Sequence, residues 1–128
     1  MCDKIFFIKL SKEETMPEDK DPIVVLMTAK DITEAEKIAG ELVKDGLAAC
    51  VNIINKVRSV YRWQGEICRD TEALCIIKTV KGNFEFLKDK IKSLHSYTVP
   101  EVIALPIEAG SNKYLKWLVK ETKVLTKL

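Results

Sequence analysis

Apolar residues arrive along this chain in short dense runs and in helical stripes, with polar turns between them. The run Ile23 to Met27 (IVVLM) is nearly continuous, which predicts a central strand covered on both faces. Thr33, followed three residues later by Glu36, reads as the capping box of a helix. Ala35, Ile38, Ala39, Leu42 and Val43 recur behind it at helical spacing, and Gly46 supplies the left-handed residue that ends it.

A second extended segment starts over Leu47 to Ile54. Beyond it Val57, Ser59, Tyr61 and Trp63 fall on one face, with Lys56, Arg58 and Arg62 mostly on the other, so this strand has one wet face. Gln64-Gly65 fits a two-residue turn, and Glu66 to Val80 returns as a third strand that ends in the apolar run Ala73 to Ile77. Asn83 reads as the cap of a second helix with Phe84, Leu87, Ile91 and Leu94 in one stripe, and Pro100 requires that helix to have ended. A fourth strand is predicted over Val102 to Ile107. Gly110 and Ser111 then introduce a last helix with Tyr114, Leu115, Leu118 and Val119 on its buried side.

The order strand, helix, strand, strand, helix, strand is the ferredoxin-like βαββαβ arrangement, here with a long central hairpin and an extra C-terminal helix. Right-handed crossovers place both helices of the repeat on one face of the sheet. The predicted hairpin strands of about 14 residues reach roughly 46 Å at ~3.3 Å per residue, against a radius of gyration near ~14 Å for a domain of this size. The hairpin therefore either overhangs and packs Tyr61 and Trp63 against a neighbouring subunit, or folds back over its own sheet.

Composition narrows the class. The 128 residues are 47% hydrophobic, enough for the core of one domain, and Lys+Arg 21 against Asp+Glu 19 leaves a net charge of only +2, with no basic stripe. Nucleic acid is not an expected partner, because phosphate binding needs concentrated cationic surface. Residues 11 to 22 (SKEETMPEDKDP) are charged and hold two prolines, so 1–22 reads as tail and linker and 23–128 as the domain. The apolar stretch Ile5 to Ile8 is shorter than a signal-peptide core and no other run predicts a membrane span, so the expectation is a cytoplasmic protein. Cys2, Cys50, Cys68 and Cys75 show no CxxC spacing, which suits reduced thiols. Cys50 and Cys75 lie in apolar runs and read as small buried hydrophobes, whereas Cys68 lies in a polar stretch and reads as the exposed thiol. No Gly-rich phosphate loop, GxSxG or histidine-centred nucleophile appears, and the segment TAKDIT after the first strand is no anion loop, so no catalytic residue is assigned and no cofactor is required.

The segments LAACVNII (47 to 54), SVYRWQGEI (59 to 67), IIKT (76 to 79), HSYTVPEVIALPI (95 to 107) and YLKWL (114 to 118) resemble, in order and spacing, the motifs of the CutA family. The resemblance runs from about Ile23 to Glu121. It implies a homotrimer in which long hairpins pack across subunits, architecturally related to the PII signalling proteins, and a link to tolerance of divalent metals, chiefly copper, without an established catalytic activity. It also places His95, the only histidine, in the family's H-x-Y-x-x-P-E motif, as a candidate ligand for copper or another divalent cation. Some members carry a cysteine late in the first strand and two adjacent histidines at the end of the second helix. Here those positions read Met27, Leu94 and His95, which predicts a weakened site.

Lys78, Tyr97 and Glu101 match polar positions of the family pattern and, with Cys50, are expected around an inter-subunit cleft, either holding a small ligand or fixing the assembly. Trp117 is expected to join Tyr61 and Trp63 as a packing anchor. A PII-like module sensing a nucleotide or another small anion is the competing reading; it calls for a long loop between the middle strands, where Gln64-Gly65 predicts a tight turn.

Overall fold

The computed structural model describes residues 17–125. The expected tail with Cys2, the apolar stretch from Ile5 and most of the charged linker lie outside the described residues. The last part of the expected linker is ordered: Pro17–Lys20 forms a 3-10 turn, and the first strand opens one residue early, at Pro22. That turn rests on the turn at Lys81–Asn83, so closely that a Cβ on Gly82 would stand 2.8 Å from the Asp19 Cβ.

The elements are β1 (Pro22–Ala29), α1 (Ile32–Lys44), β2 (Cys50–Trp63), β3 (Glu66–Val80), α2 (Phe84–Leu94), β4 (Val102–Pro106) and α3 (Asn112–Glu121). They form one four-stranded antiparallel sheet in the order β2-β3-β1-β4, so the chain is ferredoxin-like, with β1 central as its sequence requires. One face carries α1 and α2. Val25, Met27, Cys75 and Ile77 from the sheet pack there against Ala35, Ile38 and Leu42 of α1 and Leu87 and Ile91 of α2.

The expectation that β1 is covered on both faces fails within a single chain. Its residues alternate strictly between buried and half-exposed, because α1 and α2 cover one face only. The paired positions Val24 and Leu105, and Leu26 and Ile103, lie on the other face, beside Ile76 and Leu74 of β3. Ile103 and Leu105 are each 51% exposed.

Local chemistry differs from the sequence reading at two caps. Helix α1 is capped by Asp31, whose carboxylate accepts from the Glu34 N–H at 2.9 Å; the helix starts before Thr33, so the box read at Thr33 and Glu36 falls inside it. Gly46, at φ +74°, closes α1: the Leu47 N–H reaches the Leu42 carbonyl at 2.9 Å and the Gly46 N–H reaches Val43 at 3.1 Å. Asn83 precedes α2 but its side chain caps nothing there. It is buried and turned to the C-terminal segment, donating to the Lys123 carbonyl at 2.5 Å and accepting from the Leu125 N–H at 2.9 Å. Leu118 of α3 is buried against Ala49 and Val80, whereas Tyr114, expected on the buried side, remains 43% exposed.

Candidate functional site

The hairpin of β2 and β3 turns at Gln64-Gly65, both at positive φ (+50° and +82°), as a two-residue turn between right-twisted strands requires. Between Ile54 and Val57 the register shifts by one residue, with Lys56 in the left-handed region at φ +63°. This bulge has a consequence for which face each side chain takes. Before it, Ile54 pairs with Leu74 on the open face; after it, Val57, Ser59, Tyr61 and Trp63 pair with Glu72, Asp70, Cys68 and Glu66 and so continue that face. The distal hairpin is bare: Val60 is 64% exposed, Ile67 58% and Trp63 49%.

Where the hairpin leaves the body of the domain, its open side and the loop after α2 enclose a groove of about 790 Å³. Arg58, Tyr61, Trp63, Glu72, Tyr97 and Glu101 line it. Glu72 is almost fully buried, and its Oε2 accepts from the Tyr97 hydroxyl at 2.7 Å. The Tyr61 hydroxyl donates to Asp70. Burial first, and then the bond to Glu72, push the Tyr97 phenol far above its ordinary range; the bond to Asp70 raises Tyr61 to about 12.

His95 follows the last turn of α2 and is fixed on both ring nitrogens. Nδ1 accepts from the Tyr97 N–H at 3.0 Å, so the proton sits on Nε2 and is donated to the Thr28 carbonyl at 2.8 Å. The neutral imidazole thus splices the end of β1 to the loop that carries Tyr97, and its ring lies 4.7 Å from the Tyr97 ring. A metal ion on either nitrogen must displace one of these bonds. Among the described residues no three His, Cys, Asp or Glu side chains converge as a metal site. Glu34 holds the same loop from the helix side, accepting from the Ser96 N–H at 2.7 Å and hydroxyl at 3.1 Å.

The structure brings together Tyr61, Trp63, Tyr97 and Glu101, and sets His95 directly behind Tyr97. Within one chain it keeps Lys78 and Cys50 apart from them. These two are partners across β2 and β3 at the far end of the open face. Cys50 Sγ lies 3.5 Å from the Tyr114 hydroxyl, whose ring is 5.5 Å from that of Trp117, and it is half-buried rather than buried. Cys75 is fully buried as expected, and burial pushes its thiol up to about 11. Glu72, Asp70 and Glu34 were missed by sequence reasoning. For Glu72 a signal existed: it is an acidic residue two positions before Leu74 and four before Ile76, and therefore on their face.

Residues 23–121 match the family model described as "CutA1 divalent ion tolerance protein". The divalent-cation tolerance protein CutA of Thermus thermophilus is 50% identical over 99 residues, which cover 77% of this chain and 96% of that protein. The chloroplastic protein CutA of Arabidopsis thaliana is 46% identical over 101 residues, which cover 79% of this chain but only 56% of the relative. Among solved structures, the Thermus thermophilus divalent cation tolerance protein superposes with a TM-score of 0.78 at 48% identity, over 80% of this chain and 99% of that one. CutA1 from Oryza sativa gives 0.79 at 44% identity, over 80% and 94%.

Proposed function

This chain belongs to the CutA1 divalent ion tolerance family, and from that premise we propose that it acts as a homotrimer in the cell's tolerance of divalent cations, copper among them, without a catalytic step of its own. The observation that carries the assembly is the open sheet face. Val24, Leu26, Ile76, Ile103 and Leu105 lie together on the face that α1 and α2 leave open, with Ile103 and Leu105 half-exposed among the described residues, and the bulge at Lys56 continues the same face onto the bare hairpin. Such a face is stable in water only when a second layer covers it. Copies of the same chain supply that layer, with the hairpins reaching across. The tight turn at Gln64-Gly65 favours this role over nucleotide sensing of the PII kind, which uses a long loop between the middle strands. The half-buried and buried free thiols Cys50, Cys68 and Cys75 suit a reducing, cytoplasmic setting.

Metal enters this proposal weakly, at His95. Binding there must break a backbone hydrogen bond, and Met27 and Leu94 offer at best one soft thioether as a second ligand. Calorimetric copper titration of the wild type and of His95→Ala, free of reducing agent, tests this. We expect modest affinity for the wild type at pH 7.5 and little for the variant. Equal binding by both proteins at pH 7.5 contradicts the assignment.

A further inference from the structure

A second groove opens on the other face of the sheet, the one that carries α1 and α2. Ile23 and Val25 of β1 are buried there, and their partners across the ladder, Pro106 and Ala104 of β4, share that face. Val102, earlier on β4, packs against the helix-side core, but Ala104 and Pro106 are exposed among the described residues. The cover given by the helices therefore runs out over the end of β4. Beside Phe84, at the start of α2, this leaves a groove of about 750 Å³ lined by Ile23, Phe84, Ala104 and Pro106.

Asp21 and Pro22 also line it, so the chain enters the domain through the wall of this groove. The turn Pro17–Lys20 before them is held in place: Asp19 rests on Gly82, and the Lys81 N–H donates to the Asp21 carbonyl at 2.8 Å. At ~2 Å of rise per residue, a 3-10 turn keeps Pro17 within about 10 Å of Asp21. Residues 11–16 extend to about 20 Å at ~3.3 Å each, which lets the segment before them lie along Ala104 and Pro106 of its own chain. That segment, Ile5 to Leu10 (IFFIKL), is apolar at five of its six positions and holds two aromatic residues. The family match begins only at residue 23, so the segment and its tether are additions of this chain to the common domain.

We propose that Ile5 to Leu10 docks in this groove of its own chain, with Phe6 and Phe7 seated against Phe84, Ala104 and Pro106. An aromatic side chain removes on the order of 150–250 Å² from water when it is buried, and here both the run and the groove gain by meeting. The short tether keeps the segment at an effective concentration on the order of millimolar, so even a small contact stays occupied. The seat lies on the face opposite to the one proposed for assembly, and the two proposals are independent.

Photocrosslinking of the full chain tests it, with p-benzoylphenylalanine in place of Phe6 or of Phe7. Denaturing electrophoresis separates crosslinks within a chain from those between chains, and mass spectrometry of peptides locates them. The expected crosslinks are within one chain and fall on Phe84 or on residues 104–107. Ala104→Glu, at an exposed position, is expected to cut their yield tenfold or more, with circular dichroism confirming that the variant is folded. Phe6→Asp, which lies outside the domain and leaves its core untouched, is expected to do the same to the probe at position 7. Crosslinks between chains overturn the proposal and give the segment to a second copy. Crosslinks scattered over other peptides, no crosslink at all, or a yield unchanged by Phe6→Asp also overturn it.

Discussion

Glu34 illustrates how much one side chain can hold. Its carboxylate accepts from the Lys30 N–H, the Ser96 N–H and the Ser96 hydroxyl, tying the start of α1 to the loop that carries Tyr97. Partial burial pushes its pKa up, but the bonds from Ser96 and Lys30 and the neighbouring His95 ring outweigh it, and the group stays below the usual carboxylate range. A depressed carboxylate contributes stability above its unfolded value, near ~4.3, that is lost as pH falls through the lower folded value. Glu34→Gln is therefore expected to melt below the wild type at pH 7, with the gap closing as acid titrates the wild-type carboxylate. Thermal scans from pH 7 down to 3 read this, and a gap that stays constant with pH contradicts it. His95 is the companion case. Its place in the chain was legible, but the occupation of both its nitrogens depends on backbone groups of β1 and of the following loop, which no side-chain pattern announces.

At the scale of elements, Asn83 separates what the sequence discloses from what it does not. An asparagine before an amphipathic stripe is a good cap candidate, yet this one is recruited by the segment after α3, some forty residues away. Asn83→Ala leaves the Lys123 carbonyl and the Leu125 N–H without their partner and should cost about 1–3 kcal/mol. Chemical denaturation measures the loss, and faster hydrogen exchange at the Leu125 amide locates it; unchanged exchange there contradicts the clamp. Gly46 and Gln64-Gly65 were legible because positive φ selects residue types strongly, and the strands and helical stripes because burial imposes period. The bulge at Lys56 was not. Lysine carries no preference for the left-handed region, and the alternation of Val57, Ser59, Tyr61 and Trp63 is equally regular with or without the extra residue; only the register with β3 shows that these residues continue the open face. The cap of α1 moved to Asp31 for a similar reason. Asp31-x-x-Glu34 and Thr33-x-x-Glu36 satisfy the same short pattern, and packing of Ala35 and Ile38 decides between them.

For the whole molecule, the sequence already required a hairpin longer than its domain and left open whether it projects or folds back. In the structure Val60 and Ile67 of the hairpin are more than half exposed, and so, among the described residues, are Ile103 and Leu105 on the sheet face beside it. A second copy of the same surface, as proposed above, would cover both. The account stands or falls on that assembly. Multi-angle light scattering of the purified wild type at micromolar concentration tests it most directly: a single species of three times the 14.5 kDa chain mass is the predicted result, and a monodisperse monomer would contradict it.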